Sequence, residues 1–276
     1  MSAALPGIQD AVRLAATALR IAPMAGLSDE HKQLIRELKN SGILPTVETM
    51  IKRRTAPFYW YDIRLPRGSQ TLYTATVGFL HTGSRLIGIS AEHVHRECAE
   101  ALDQAPESIF SQIGGARFDP RDRVIDIDRR LDLVTYDLSE IEVNTANADI
   151  HYPRSWPPSA RENELVIVGG WISEFTQEHE DSSTNSFLHV FARCDNFTEH
   201  QIGVAIYPST SVAWGDSALA AGTELGGLSG GPVFVVREEP LTEVYQVGVI
   251  FEYQPSYEII LARPLSLVGP EGEILS

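Results

Sequence analysis

Gly226-Gly227-Leu228-Ser229-Gly230-Gly231-Pro232, followed at once by the apolar run Val233-Phe234-Val235-Val236, is the stretch on which the reading of this chain turns. A serine held between glycines suits covalent catalysis, because its hydroxyl must stand clear of its own backbone while neighbouring N–H groups point at a developing oxyanion. Gly227 leaves its N–H unobstructed, and Gly230 and Gly231 permit backbone angles and close approaches that a side chain forbids. Pro232 then fixes φ ahead of a strand rich in Val and Phe, which reads as buried. The plain alternative is a glycine-rich turn feeding a strand.

Chain order narrows the chemistry. Gly227 to Gly231 also fits the G-x-S-x-G elbow of α/β-hydrolases, but those enzymes place their histidine after the serine, and no histidine follows Ser229. The base must lie upstream, which leaves the His…Asp…Ser and Asp…His…Ser orders.

Composition sets outer limits. A chain of 276 residues with 43% hydrophobic content can build one large all-β domain or a domain with an appendage. Its net charge of −15 argues against a nucleic-acid or anionic-membrane partner, since phosphate contacts need clustered Lys and Arg. Two cysteines, Cys98 and Cys194, fit a reducing, cytoplasmic compartment. The first twenty residues lack a basic n-region and read poorly as a secretory signal, and no stretch has the length of uncharged apolar sequence that a membrane helix needs.

The texture changes along the chain. Ile8, Val12, Ala15, Leu19 and neighbours recur at helical spacing, predicting a helix over residues 8–21. Ser28 is placed to cap a second helix that Gly42 would end, and Pro45, Pro57 and Pro66 predict an irregular stretch over 44–68. Residues 1–60 are therefore expected to form a helical extension that docks on the main domain, binds a regulatory partner or mediates homo-oligomerisation. From Thr71 onward, strand-like runs follow at Thr71–Leu80, Leu86–Ser90, Arg123–Ile127, Leu131–Leu138, Leu165–Val168, Phe187–Ala192, Ile202–Tyr207, Val233–Val236, Val244–Phe251 and Ile259–Ala262. With one helical stretch among them, about Ala91–Asp103, they predict an all-β barrel or sandwich over 61–276. His151–Arg161 and Thr176–Asn185 are expected to be exposed loops, the first linking two halves.

Two further segments complete the candidate site. Leu86-Ile-Gly-Ile-Ser-Ala-Glu-His93 is an apolar strand delivering a histidine to the mouth of a turn or short helix, and Asp132 stands immediately before the strand-like Leu133-Val-Thr. A partly buried carboxylate there can orient an imidazole and stabilise the imidazolium. Together these segments resemble the trypsin-like (chymotrypsin-fold) serine proteases: Ser90-Ala-Glu-His93 is similar to the family's T-A-A-H motif, Asp132-Leu-Val to its D-[IL]-[AV] motif, and Gly227-Leu-Ser229-Gly-Gly-Pro232 to its G-D-S-G-G-P motif. The intervals of 39 and 97 positions are comparable with the family.

The resemblance covers about residues 70–265 and implies two antiparallel β-barrels, with His93 as base and acid, Asp132 as its orienter and Ser229 as nucleophile. It also implies an oxyanion hole from the N–H groups of Gly227 and Ser229, Thr223 near the base of the S1 pocket, and Phe251, Glu252 and Tyr253 on the strand that pairs with a polypeptide substrate. No cofactor is implied. Leu228 replaces the aspartate that secreted members use in zymogen activation, so the resemblance points to a non-secreted branch. Glu92 replaces a small residue, and a carboxylate there is expected to favour the charged form of His93. Glu224 and Glu252 are placed to attract a basic substrate side chain, although surface carboxylates are common in so acidic a chain.

Rival readings use the same residues. His93, His95 and Cys98 contain zinc-ligand types, but no second cluster of spaced ligands accompanies them, so His95 is expected at the surface and Cys98 buried and inert. Asp126 and Asp128 are expected on a solvated edge and Asp137 at a strand's far end. A catalytically silent protease fold, serving as a binding or regulatory module, is the alternative to an active enzyme.

Overall fold

The computed structural model describes residues 44–66, 69–178, 183–206, 212–214, 225–237 and 243–275, with single positions at 29, 32, 33, 36 and 40, all five helical. The helix expected over 8–21 lies outside the described residues. Leu44–Arg53 forms a helix (α1) and Thr55–Asp62 a strand (β1), where an irregular stretch was expected. Pro45 falls in the first turn of α1, where its missing N–H has no helical partner to lose. Pro57 is tolerated because its carbonyl accepts from the Gly114 N–H, and strand pairing on that side begins one residue later, at Phe58.

The first sheet joins β1 to Tyr73–His81 (β2), Leu86–Ser90 (β3), Ile109–Ile113 (β4), Ala116–Arg117 (β5), Val124–Asp128 (β6) and Leu133–Asp137 (β7), in the order β5-β4-β1-β2-β3-β7-β6. Its helices are Glu92–Gln104 (α2) and the short Glu140–Thr145 (α3). The second sheet contains Leu165–Glu178 (β8), Ser183–Phe197 (β9), Ile202–Ala205 (β10), Val212–Trp214 (β11), Pro232–Arg237 (β12), Glu243–Gln254 (β13) and Ile259–Pro264 (β14). Its order is β10-β14-β13-β12-β8-β9-β11, and pairing of β9 with β10 closes six of these strands into a barrel. The architecture is all-β, one closed antiparallel barrel and a second antiparallel sheet around its own core, consistent with the double barrel expected.

Period-two alternation explains why β12 reads as apolar throughout. Val233 and Val235 point into the closed barrel with Val166, Val168, Val190 and Ile260, whereas Phe234 and Val236 face outward with Leu165 and Ile167 beneath Val47 and Ile51 of α1. Each of those two fully covered α1 side chains stabilises the docked helix by roughly 1.5–3 kcal/mol. A further cluster, Leu80, Ile87, Ile89 and Leu133 against Val249, Leu265 and Leu267, joins the two sheets.

Three expectations change. The boundary at 60/61 falls inside β1, which is hydrogen-bonded between β2 and β4. The loop expected over Thr176–Asn185 is partly hairpin, with Gln177 paired to Thr184 and Glu178 to Ser183. A second internal helix, α3, starts at Ser139 through a capping box with Glu142. The segment from His151 to Arg161 is irregular and connects the two sheets, as expected, but His151, Pro158 and Ala160 are buried where an exposed loop was expected.

Candidate active site

The fold brings together His93, Asp132 and Ser229, although 136 positions separate the first and last. Antiparallel pairing of β3 with β7 sets Ser90 opposite Val134. His93, three residues beyond Ser90, therefore meets Asp132, two residues before Val134. Asp132 has φ 52, a left-handed conformation that aspartate tolerates better than most residues. Its carboxylate caps the start of α2: Oδ1 accepts from the His93 backbone N–H at 2.8 Å. That placement also matches the positive end of the helix dipole.

Oδ2 of Asp132 lies 2.8 Å from Nδ1 of His93, and Nε2 lies 3.1 Å from Ser229 Oγ. A carboxylate accepts only, so Nδ1 carries the proton and Nε2 is left to accept from the serine hydroxyl. The Asp132 hydrogen bond raises the pKa of His93 against the opposing effect of burial. Burial alone would push Asp132 up, but the His93 ring and backbone N–H groups bring it below its ordinary value. The pair thus holds an imidazole that favours its proton beside a carboxylate that stays charged.

Ser229 lies within the second of two consecutive tight turns, with Leu228 N–H donating to Leu225 O and Gly231 N–H to Leu228 O. Gly227 and Gly230 have φ 94 and 83, and a Cβ on Gly230 would overlap Thr76 O and Ser90 Oγ. Among the described residues, neither the Gly227 nor the Ser229 N–H donates to another protein group, so both are available to an incoming oxygen.

Sequence reasoning missed Thr76, a fully buried residue of β2 in the other sheet. Its N–H donates to Ser229 O at 2.9 Å, and its Oγ1 donates to Gly227 O at 3.0 Å while accepting from Trp171 N–H at 2.9 Å. Ser90 Oγ donates to Thr76 O at 2.8 Å. Thr76 therefore grips the serine loop at the carbonyls on either side of Leu228. A threonine in an alternating strand carries no sequence signal for this role, because the contact crosses between sheets.

The remaining site residues divide. Thr223 and Glu224 lie outside the described residues. β13 pairs with β12 only as far as Val249 and continues beside β14 alone. Over Glu252 and Tyr253 its other edge has no strand partner among the described residues. Phe251 occupies a bulge, its ring 3.9 Å from the Arg263 guanidinium, and Glu252 is exposed.

Glu92 does not act as expected. Its carboxylate is buried and pairs with Arg96 and Arg129, and the groups acting on His93 are Asp132, Glu97 and Arg96. His95 is buried beside Tyr136 rather than at the surface, because positions 95, 98 and 102 share the inward stripe of α2. Burial pushes the Cys98 thiol up to about 12, and among the described residues no group of three or more His, Cys, Asp or Glu side chains converges. Asp126 and Asp128 lie on edge strand β6, and Asp137 ends β7 in a pair with Arg85.

No protein-family model matches the sequence, and no curated protein matches it. Solved structures similar to the chain include the thermostable serine protease AL20 from an extremophilic microorganism, 9% identical, covering 77% of this chain and 91% of that one, with TM-score 0.41. Another, from work on the coupled folding and binding of the intrinsically disordered Sesbania mosaic virus VPg protein, is also 9% identical, covering 77% of this chain and 92% of that one, with TM-score 0.39.

Proposed function

We propose that this chain is a serine endopeptidase that hydrolyses polypeptides through an acyl-enzyme intermediate. The observation carrying the reading is the continuous line from Asp132 Oδ2 through the His93 ring to Ser229 Oγ, with bonds of 2.8 and 3.1 Å. Ser229 Oγ attacks the scissile carbonyl as its proton passes to His93 Nε2, and the carbonyl π electrons move onto oxygen. The Gly227 and Ser229 N–H groups stabilise that oxyanion. Collapse expels the amine, which takes the proton from His93 and leaves an ester on Ser229. Water, deprotonated by His93, then attacks the ester and returns the hydroxyl.

The substrate adds as an antiparallel strand along the edge of Phe251, Glu252 and Tyr253, where main-chain hydrogen bonds supply affinity. The family resemblance assigns Thr223, outside the described residues, to the base of the specificity pocket. A fluorophosphonate probe tests the assignment. Labelling of Ser229 in the full-length protein, lost in His93→Ala, supports an enzyme. An unlabelled Ser229 identifies a silent binding module instead.

A further inference from the structure

A cavity whose lining includes none of His93, Asp132 and Ser229 borders the linker between the two sheets. It has a volume of about 490 Å³ and is lined by Arg54, Arg154 and Arg237 with His151, Tyr152 and Tyr245 among others, and among the described residues no Asp or Glu lines it. Its size falls within the range of small-molecule sites. Three guanidinium groups around one cavity stand out in a chain with 37 acidic and 22 basic residues.

Two of the lining groups have unmet needs. Arg54 is half-buried against the Phe234 ring, and among the described residues its guanidinium makes one hydrogen bond, to Val244 O at 3.1 Å. The carboxylate acting on it, Asp149, is itself paired with Arg53. Burial without a bonded counter-ion pulls the Arg54 pKa down to about 10, the signature of a charge that solvent and protein leave undercompensated. His151 is buried, and its Nε2 accepts from the Gln246 backbone N–H at 3.3 Å. The neutral ring therefore carries its proton on Nδ1, which has no partner. Arg237 is satisfied by a bidentate pair with Glu164 and forms a fixed wall against the Tyr245 ring.

We propose that this cavity binds a small molecule through an anionic oxygen group, carboxylate or phosphate, which accepts from Arg54 and His151 and lies against the tyrosine rings. The site is independent of the Ser229 chemistry. Because Arg54 is the turn residue leading into the first sheet's β1, Arg237 ends the second sheet's β12 and His151 lies in the linker, such a ligand stitches the two sheets together.

Thermal unfolding and calorimetric titration of the full-length protein test this with inorganic phosphate, succinate and sodium chloride at matched ionic strength. Saturable binding of phosphate or succinate, with Tm raised by roughly 5 °C at a hundred-fold excess over Kd, is expected. The tighter of the two identifies the source of the anionic group. Arg54→Gln abolishes the effect, and Arg154→Ala, at an exposed position, weakens it about ten-fold. Equal shifts with chloride, no saturable binding by either probe, or full binding in both variants would overturn the proposal.

Discussion

Replacing Thr76 with valine removes one hydroxyl from the wall behind the serine loop and preserves nearly the same shape. The Thr76 N–H bond to Ser229 O survives, because it is main-chain. The Oγ1 bond to Gly227 O and the acceptor for Trp171 N–H are lost. Gly227, at φ 94, has no side chain to restrain it, so release of its carbonyl lets φ and ψ change together and carries its N–H, the oxyanion donor, out of line. Loss of a whole oxyanion donor costs about 2.7–4 kcal/mol of transition-state stabilisation. A displaced donor keeps part of that, so kcat on a peptide ester should fall about ten- to hundred-fold with KM changed less than about three-fold. The unpaired Trp171 N–H and Gly227 C=O add roughly 1–3 kcal/mol each to the stability loss, which thermal unfolding reads separately. Thr76→Ser restores the hydroxyl and should recover most of kcat, and the acid limb of the pH–rate curve should stay in place in both variants because the His93–Asp132 pair is untouched. A valine variant within two-fold of wild-type kcat refutes the positioning argument. An unlabelled, inactive wild type would refute the peptidase reading instead.

Asp132→Asn should lower kcat by about 10⁴-fold by presenting the wrong histidine tautomer. It also removes the largest influence raising His93, so the remaining activity should appear at lower pH, since His93 must lose its proton to act as base; an unmoved acid limb counts against the pairing. His151 and His189 are buried neutral, their folded pKa values depressed to about 3 and about 4, below the unfolded value near 6.5. Their stabilising contribution is complete above pH 6.5 and is lost as pH falls, at about 1.4 kcal/mol per unit for each. Urea unfolding at pH 7 and pH 5 should show this loss, smaller in His151→Gln, and equal slopes in the two proteins would exclude His151 as a source. Gly230→Ala should cost more than about 3 kcal/mol, because the new methyl meets Thr76 O and Ser90 Oγ at a left-handed backbone position; near-wild-type Tm would show that the loop yields.

What the sequence disclosed was local or strongly ordered. The turn around Ser229, the strand ending near His93 and the aspartate before β7 each carry their signal within a few residues. Each of the ten strand-like runs overlaps a strand, but β1, β4, β5 and β11 have no such run: Pro57 interrupts β1, and β5 and β11 span only two and three residues. The inward stripe of α2 was legible in the spacing of His95, Cys98 and Leu102, and His95 was misplaced by its polarity. Thr76, Arg54 and His151 could not be read this way, since their partners come from the opposite sheet and no spacing within one segment encodes that meeting.

The division of the site between two halves of the chain has a consequence for synthesis. A chain emerging from its amino end presents the imidazole and carboxylate long before the hydroxyl, and the grip on the hydroxyl's loop comes from β2 across the sheet boundary. Neither portion alone therefore holds an aligned set of reacting atoms. On the proposed peptidase reading, hydrolysis therefore waits until the last strands have closed.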